Sequence, residues 1–135
     1  MTAVVVDTSV AVKWLLDEPG SESAGRLMTE NQALLAPDLL LVETANVLWK
    51  KIRRGEMPAA DLDETLSDLL SLDINFYGSG LLLGRASRLA LQLGHPVYDC
   101  MYLALAAETG APIATADRRL RRAADGIGIG LWGGL

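Results

Sequence analysis

Val4, Val5 and Val6 form a β-branched run that ends abruptly in Asp7. Such residues fill both sides of a pleated strand, so Ala3 to Val6 reads as a strand covered on both faces, the habit of parallel sheets. A second short apolar stretch, Ile113 to Ala116, runs in the same way into Asp117. Parallel strands need long crossovers, and the intervening sequence supplies helical patterns for them.

Ser9 to Leu16 reads as a short helix capped by Thr8 or Ser9. Pro19-Gly20 marks a turn, and Ser21 can cap a second helix to about Glu30. Ala33 to Ala36 is a weak strand. Pro37 suits a helix start, and that helix runs to Arg54, where Gly55 stops it. Pro58 opens another helix, with Leu62, Leu66, Leu69 and Leu70 on one face. Ile74 to Tyr77 is a strand. Helices follow from about Leu81 to Leu93, closed by Gly94, and from Tyr98 to Glu108, ending near Gly110. After the strand Ile113 to Ala116, Arg118 to Ala124 is a short helix and Ile127 to Leu131 a last strand. The expected fold is α/β: a single domain over residues 1–135, with a central, mostly parallel sheet flanked by helices on both faces. Ligands in such sheets bind beyond the carboxyl ends of the strands, where Asp7 and Asp117 sit.

The chain has 135 residues, half of them hydrophobic, enough for one self-sufficient core. Cys100 is the only cysteine, so neither a disulfide framework nor a cysteine zinc site is available. Its place in an apolar helix suits a small core residue. A reducing cytoplasm is the expected location. There is no basic segment leading into an apolar run and no stretch long enough to span a membrane. The net charge of −5 disfavours sequence-blind binding of nucleic acid through overall charge. A local basic patch, or a metal that inverts the sign of an acidic site, remains compatible with it.

Two further acids are misplaced by their surroundings. Glu43 lies in LLLVETANVLW, and Asp99 at the first turn of the apolar VYDCMYLALAA. Each acid also has a plainer reading. Asp7, Asp99 and Asp117 could each cap a helix, and Glu43 could pair with a cation at a rim. Taken together, four carboxylates repel one another and raise each other's pKa unless a cation joins them. None of the four stretches contains an obvious basic partner. A hard divalent ion bound through oxygens, Mg²⁺ or Mn²⁺, satisfies all four. His95 is the only histidine, and next to Pro96 it reads as a solvated loop residue. That leaves no multi-histidine metal site. Acids with a hard metal suit phosphoryl chemistry, in which the metal activates water and stabilises charge on phosphate oxygens.

The stretches VVVDTSVAVKWL, PDLLLVETANVLW and HPVYDCMYLALAAETGAPIATADRRL resemble, in order and over essentially the whole chain, the signature of the PIN-domain family. More narrowly they resemble the VapC-type toxins of bacterial toxin–antitoxin pairs. The resemblance implies a metal-dependent endoribonuclease in which Asp7, Glu43, Asp99 and Asp117 hold Mg²⁺ or Mn²⁺ and water attacks an RNA phosphodiester, leaving a 5′-phosphate. By the same likeness Ser9 and Thr115 are supporting hydroxyls. Asn46, three residues after Glu43 on the same helix face, is expected to orient a carboxylate. The family further implies an RNA substrate such as tRNA or ribosomal RNA, a VapB-type antitoxin and a homodimer.

Arg118 and Arg119, with Arg121 and Arg122, are candidates to grip RNA. Lys13, Lys50, Lys51, Arg53 and Arg54 are further ones, although cations before Gly55 also complement a helix dipole. Trp14 and Trp49, at helical spacing among leucines, are expected in packing rather than base stacking. The competing reading is an inactive adaptor of the same fold that binds RNA or protein. A receiver-type phosphoacceptor lacks its acidic pair and lysine here, and a haloacid-type phosphatase lacks D-x-D, since position 9 is Ser9. The glycine stretches Gly78–Gly84 and Gly128–Gly133 lack the βαβ context of a nucleotide-binding loop.

Overall fold

In the computed structural model, which describes residues 2–135, the valine run lies inside a four-stranded parallel sheet. β1 (Thr2–Val6) pairs on one side with β2 (Gln32–Pro37) and on the other with β4 (Ile113–Ala114), while β3 (Asn75–Tyr77) pairs with β2. The spatial order is β3-β2-β1-β4. Strand order therefore reverses between β1 and β4, and the crevice beyond their carboxyl ends is the natural ligand position. Val4, Val5 and Val6 are buried in succession, so both faces of β1 are covered.

The crossovers are α1 (Thr8–Leu15), α2 (Ser21–Thr29), α3 (Leu39–Arg53), α4 (Leu62–Ser71), α5 (Ser79–Leu93), α6 (Val97–Thr109) and α7 (Arg118–Gly126). α6 packs against β1, β2 and α5. Its residues Cys100 to Ala106 are all buried, so it is enclosed on every side rather than lying amphipathically on the surface. Cys100 is a core residue, as expected. Among the described residues no helix is long and apolar enough to cross a membrane.

Several local expectations are corrected. Pro37 does not start a helix but ends β2, paired with Tyr77, and the ladder continues when Asp38 donates its backbone N–H to the Tyr77 carbonyl. α1 is capped by Asp7, which accepts from the Val10 N–H, rather than by Thr8 or Ser9. Ser21 is the first residue of α2 and not its cap; its hydroxyl donates to the Leu16 carbonyl. Pro58 leads into a 3₁₀ turn, Ala59–Asp61, before α4 begins. Leu70 is 72% exposed and leaves the face formed by Leu62, Leu66 and Leu69.

The strand at Ile113 lasts only two residues, and just beyond it Thr115 donates its hydroxyl to Asp7. The last strand is reduced to a single bridge between Leu131 and Ile113. Gly128, at φ +76°, and Gly130 interrupt that segment, and glycine weakens strand pairing.

Candidate active site

Asp7 leaves β1 at the reversal of strand order and is 6% exposed. Its Oδ1 accepts from the Ser9 hydroxyl at 2.6 Å and the Val10 N–H at 3.3 Å. Its Oδ2 accepts from the Thr115 hydroxyl at 2.5 Å. Thr115 in turn accepts from the Asp117 N–H at 3.0 Å, and Ser9 accepts from the Ala116 N–H at 2.9 Å. The Thr115 hydroxyl thus ties the Asp7 carboxylate to the Asp117 backbone, and the Ser9 hydroxyl ties it to that of Ala116. Burial pushes the Asp7 carboxyl up to about 6, against the pull of its three hydrogen bonds and with help from the Asp117 charge.

Asp117 caps α7, its Oδ1 accepting from the N–H groups of Arg119 and Leu120. Asp7 and Asp117 are thus both caps, each with one oxygen bonded to backbone N–H groups of the helix that follows. Asp99 is not a cap, because Pro96 holds that position and Asp99 sits in the first turn of α6.

Glu43 projects from α3. Its Oε1 accepts from the Tyr102 phenol at 2.6 Å and from the Thr8 hydroxyl at 3.2 Å. Partial burial holds its carboxyl above the usual range, and the Asp99 charge adds to this. The Asp99 carboxyl is also raised, first by burial and then by the Asp117 charge, with His95 and Arg119 opposing. The charges of Asp7 and Asp117, Asp117 and Asp99, and Asp99 and Glu43 are coupled, so the structure gathers all four acids at one end of the sheet.

The supporting cast differs from expectation in three places. Asn46 is exposed and makes no hydrogen bond to Glu43 among the described residues. Thr8 and Tyr102 hold that carboxylate instead. Nothing in the sequence marks Tyr102 for this role, since its spacing is that of a core helix residue. The structure buries it to 2% exposure. His95 is not a solvated loop residue: its side chain is 11% exposed, with Nδ1 3.3 Å from Asp99 Oδ2 but poorly aligned for a hydrogen bond. It and Arg119 are the basic partners that the acidic stretches themselves lack.

Tyr102 is a permanent donor, because burial and the Glu43 charge drive its phenol far above its ordinary range. Replacing Tyr102 with phenylalanine removes a charge-assisted hydrogen bond and should cost about 1.5–3 kcal/mol, read from urea denaturation at neutral pH.

The donor set is all oxygen. Among the described residues no three acidic, imidazole or thiol groups close on a single point as a ready-made cage. An all-oxygen donor set is the ligand class of Mg²⁺, which is typically held by one or two carboxylates and completes its shell with water and substrate phosphate. A carboxylate offers about four lone-pair positions. Asp7 uses three, while Glu43 and Asp117 each use two on a single oxygen, leaving acceptors free in all of them.

The candidate RNA-gripping arginines divide. Arg118 lines a cleft with Lys13, Thr115 and Arg121. Arg119 lines the other side of α7 with His95 and Arg122.

The PIN domain family model matches residues 4–126. Over 121 residues the chain is 36% identical to Ribonuclease VapC3 of Pyrobaculum aerophilum, covering 87% of this chain and 91% of that protein. It shares its fold with Mycobacterium tuberculosis VapC20, described as a Sarcin-Ricin loop cleaving toxin, at a TM-score of 0.67 and 16% identity, over 89% of this chain and 94% of the other. It shares it also with VapBC2 from Rickettsia felis, solved with a DNA fragment from their promoter, at a TM-score of 0.65 and 15% identity, over 97% and 98%. With four acids gathered at the reversal point of a parallel sheet, and with these matches, the chain belongs to the PIN-domain family, among its VapC-type members.

Proposed function

We propose that this chain is a Mg²⁺- or Mn²⁺-dependent endoribonuclease of the VapC toxin type, acting in the cytoplasm. The carrying observation is the state of its carboxylates. Asp7, Glu43 and Asp99 are all held above the usual range by burial and mutual repulsion, yet each of Asp7, Glu43 and Asp117 keeps acceptor capacity unused. A bound divalent cation relieves that repulsion and fills that capacity.

Asp7, Glu43, Asp99 and Asp117 are the residues that would hold it. When bound, the ion makes water more acidic and stabilises charge on the scissile phosphate. Ser9 and Thr115 fix the orientation of the Asp7 carboxylate. Tyr102 and Thr8 do the same for Glu43. Arg118 and Arg119, on either side of α7, are placed to meet phosphates of an RNA strand. The names of the related proteins support RNA as substrate and a VapB-type antitoxin as partner. A homodimer is part of the same reading.

Incubation with a pool of tRNA and ribosomal RNA tests it. Discrete products with 5′-phosphates are expected with Mg²⁺ or Mn²⁺ and none with EDTA. No cleavage, with no manganese binding by calorimetry, would overturn the proposal in favour of the inactive adaptor.

A further inference from the structure

The carboxyl end of α3 carries four cations within five residues, Lys50, Lys51, Arg53 and Arg54, on a chain whose net charge is −5. One or two suffice to complement a helix dipole. Their partners differ. Lys51 lies 3.6 Å from Glu18 and 3.8 Å from Glu56. Lys50, Arg53 and Arg54 make no ion pair among the described residues.

Two adjoining clefts receive these free cations. One, of about 410 Å³, runs from Thr8 and Ser9 at the acidic site past Val47 to Lys50 and Arg54. The other, of about 350 Å³, is formed by Trp49, Lys50, Arg53 and Arg54. Lys50 and Arg54 line both, so the cleft beside the site and the cleft beside Trp49 share a wall. Trp49 is 51% exposed, contrary to its expected packing role, and the Arg53 guanidinium sits 5.0 Å from its ring centroid. A half-exposed indole beside unpaired cations is the composition of surfaces that stack bases and track a phosphate backbone. On a helix that rises 1.5 Å per residue, Trp49 and Arg54 lie about 9 and 16 Å beyond Glu43, a reach of a few nucleotides.

We infer that Trp49, Lys50, Arg53 and Arg54 form a second binding subsite for single-stranded RNA, which holds the strand to one side of the scissile phosphate. Trp49 stacks an unpaired base, and Lys50 and Arg54 meet flanking phosphates. The inference rests on the nuclease reading for its place in catalysis, but its binding chemistry can be read without cleavage.

The experiment is fluorescence anisotropy with a short fluorescein-labelled single-stranded RNA of mixed sequence, in EDTA, alongside metal-dependent cleavage of pooled RNA. Trp49→Ala is expected to weaken binding about tenfold, the scale of losing one stacked base, and Trp49→Phe to restore most of it. Lys50→Gln with Arg54→Gln is expected to lower the slope of log affinity against log salt by about 1.4, for two single-strand phosphates. Arg88→Gln, exposed on α5, should change nothing.

Unaltered affinity in the Trp49 and Lys50/Arg54 variants, with metal-dependent cleavage intact, overturns the subsite and leaves the nuclease reading standing. Binding that depends on Trp49, with neither metal-dependent cleavage nor manganese binding, supports the subsite and removes the nuclease reading. Unaltered RNA affinity with altered self-association of Trp49→Ala in gel filtration also overturns it, and makes the platform a protein contact.

Discussion

Asp7→Asn should raise the melting temperature of the metal-free protein at neutral pH while abolishing metal-dependent cleavage. The carboxyl sits at about 6 in the folded chain, against an ordinary value of 3.8. Between these two values the folded chain binds more protons than the unfolded one, so this group's contribution to stability falls as pH rises. The contribution is complete below 3.8 and is lost as pH climbs through about 6. At neutral pH the ionised carboxylate therefore costs the fold up to about 3 kcal/mol.

Asparagine is neutral at every pH and nearly isosteric. Its carbonyl can keep the Ser9 and Val10 donors, and its amide can donate to Thr115 once that hydroxyl turns. Scanning calorimetry should show the two proteins alike near pH 4, with the variant ahead by several degrees at pH 7 to 8. Manganese should raise the melting temperature of the parent alone. Protons compete with a cation for the same carboxylate, so the metal response of the parent should fade as pH drops through about 6. A variant less stable than its parent at pH 8 would mean that Asp7 serves chiefly as the cap of α1.

The second large effect is expected at Thr115. This residue is fully buried, and its hydroxyl both donates to Asp7 and accepts from the Asp117 N–H. Valine has the same shape without the hydroxyl, so Thr115→Val leaves a buried carboxylate oxygen and a backbone donor unmet. The loss should be about 2–4 kcal/mol of stability, measured by urea denaturation.

Activity should also fall about tenfold or more, because the two strand-end aspartates lose the group that sets their spacing. With one hydrogen bond fewer, the Asp7 carboxyl rises above its present value of about 6. The acid limb of the pH–rate profile should move to higher pH accordingly. Thr115→Ser keeps the hydroxyl and should restore the profile even where stability stays reduced. A profile that stays put in Thr115→Val would limit Thr115 to a packing role.

Much of the frame was legible from local pattern. Three valines in succession announced a strand covered on both faces, and the apolar run after Asp99 announced a buried helix. Both signals arise from side-chain burial, which repeats with the period of the element. The errors fall where a distant contact overrides a local preference. Pro37 is a good first helical residue, but pairing with Tyr77 keeps it in the sheet. Ile127 to Leu131 alternates like a strand, but its glycines leave one bridge. Trp49 sits among leucines in sequence and yet stays half in water, because Leu40, Thr44 and Leu48 form the buried face of α3 and Trp49 lies off it.

The acids divide in the same way. By itself the sequence determined which carboxylates are anomalous: Asp7 and Asp117 at strand ends, Glu43 and Asp99 inside apolar helices. Burial of a charge is costly wherever it happens, so local context reveals it. Only the tertiary structure decided what each anomaly is for. The reversal of strand order between β1 and β4 sets Asp7 beside Asp117. Thr115 reaches Asp7 from 108 residues away, and Tyr102 reaches Glu43 from 59. Hydrogen bonds act over about 3 Å, and their partners are set by how the chain crosses over rather than by spacing along it.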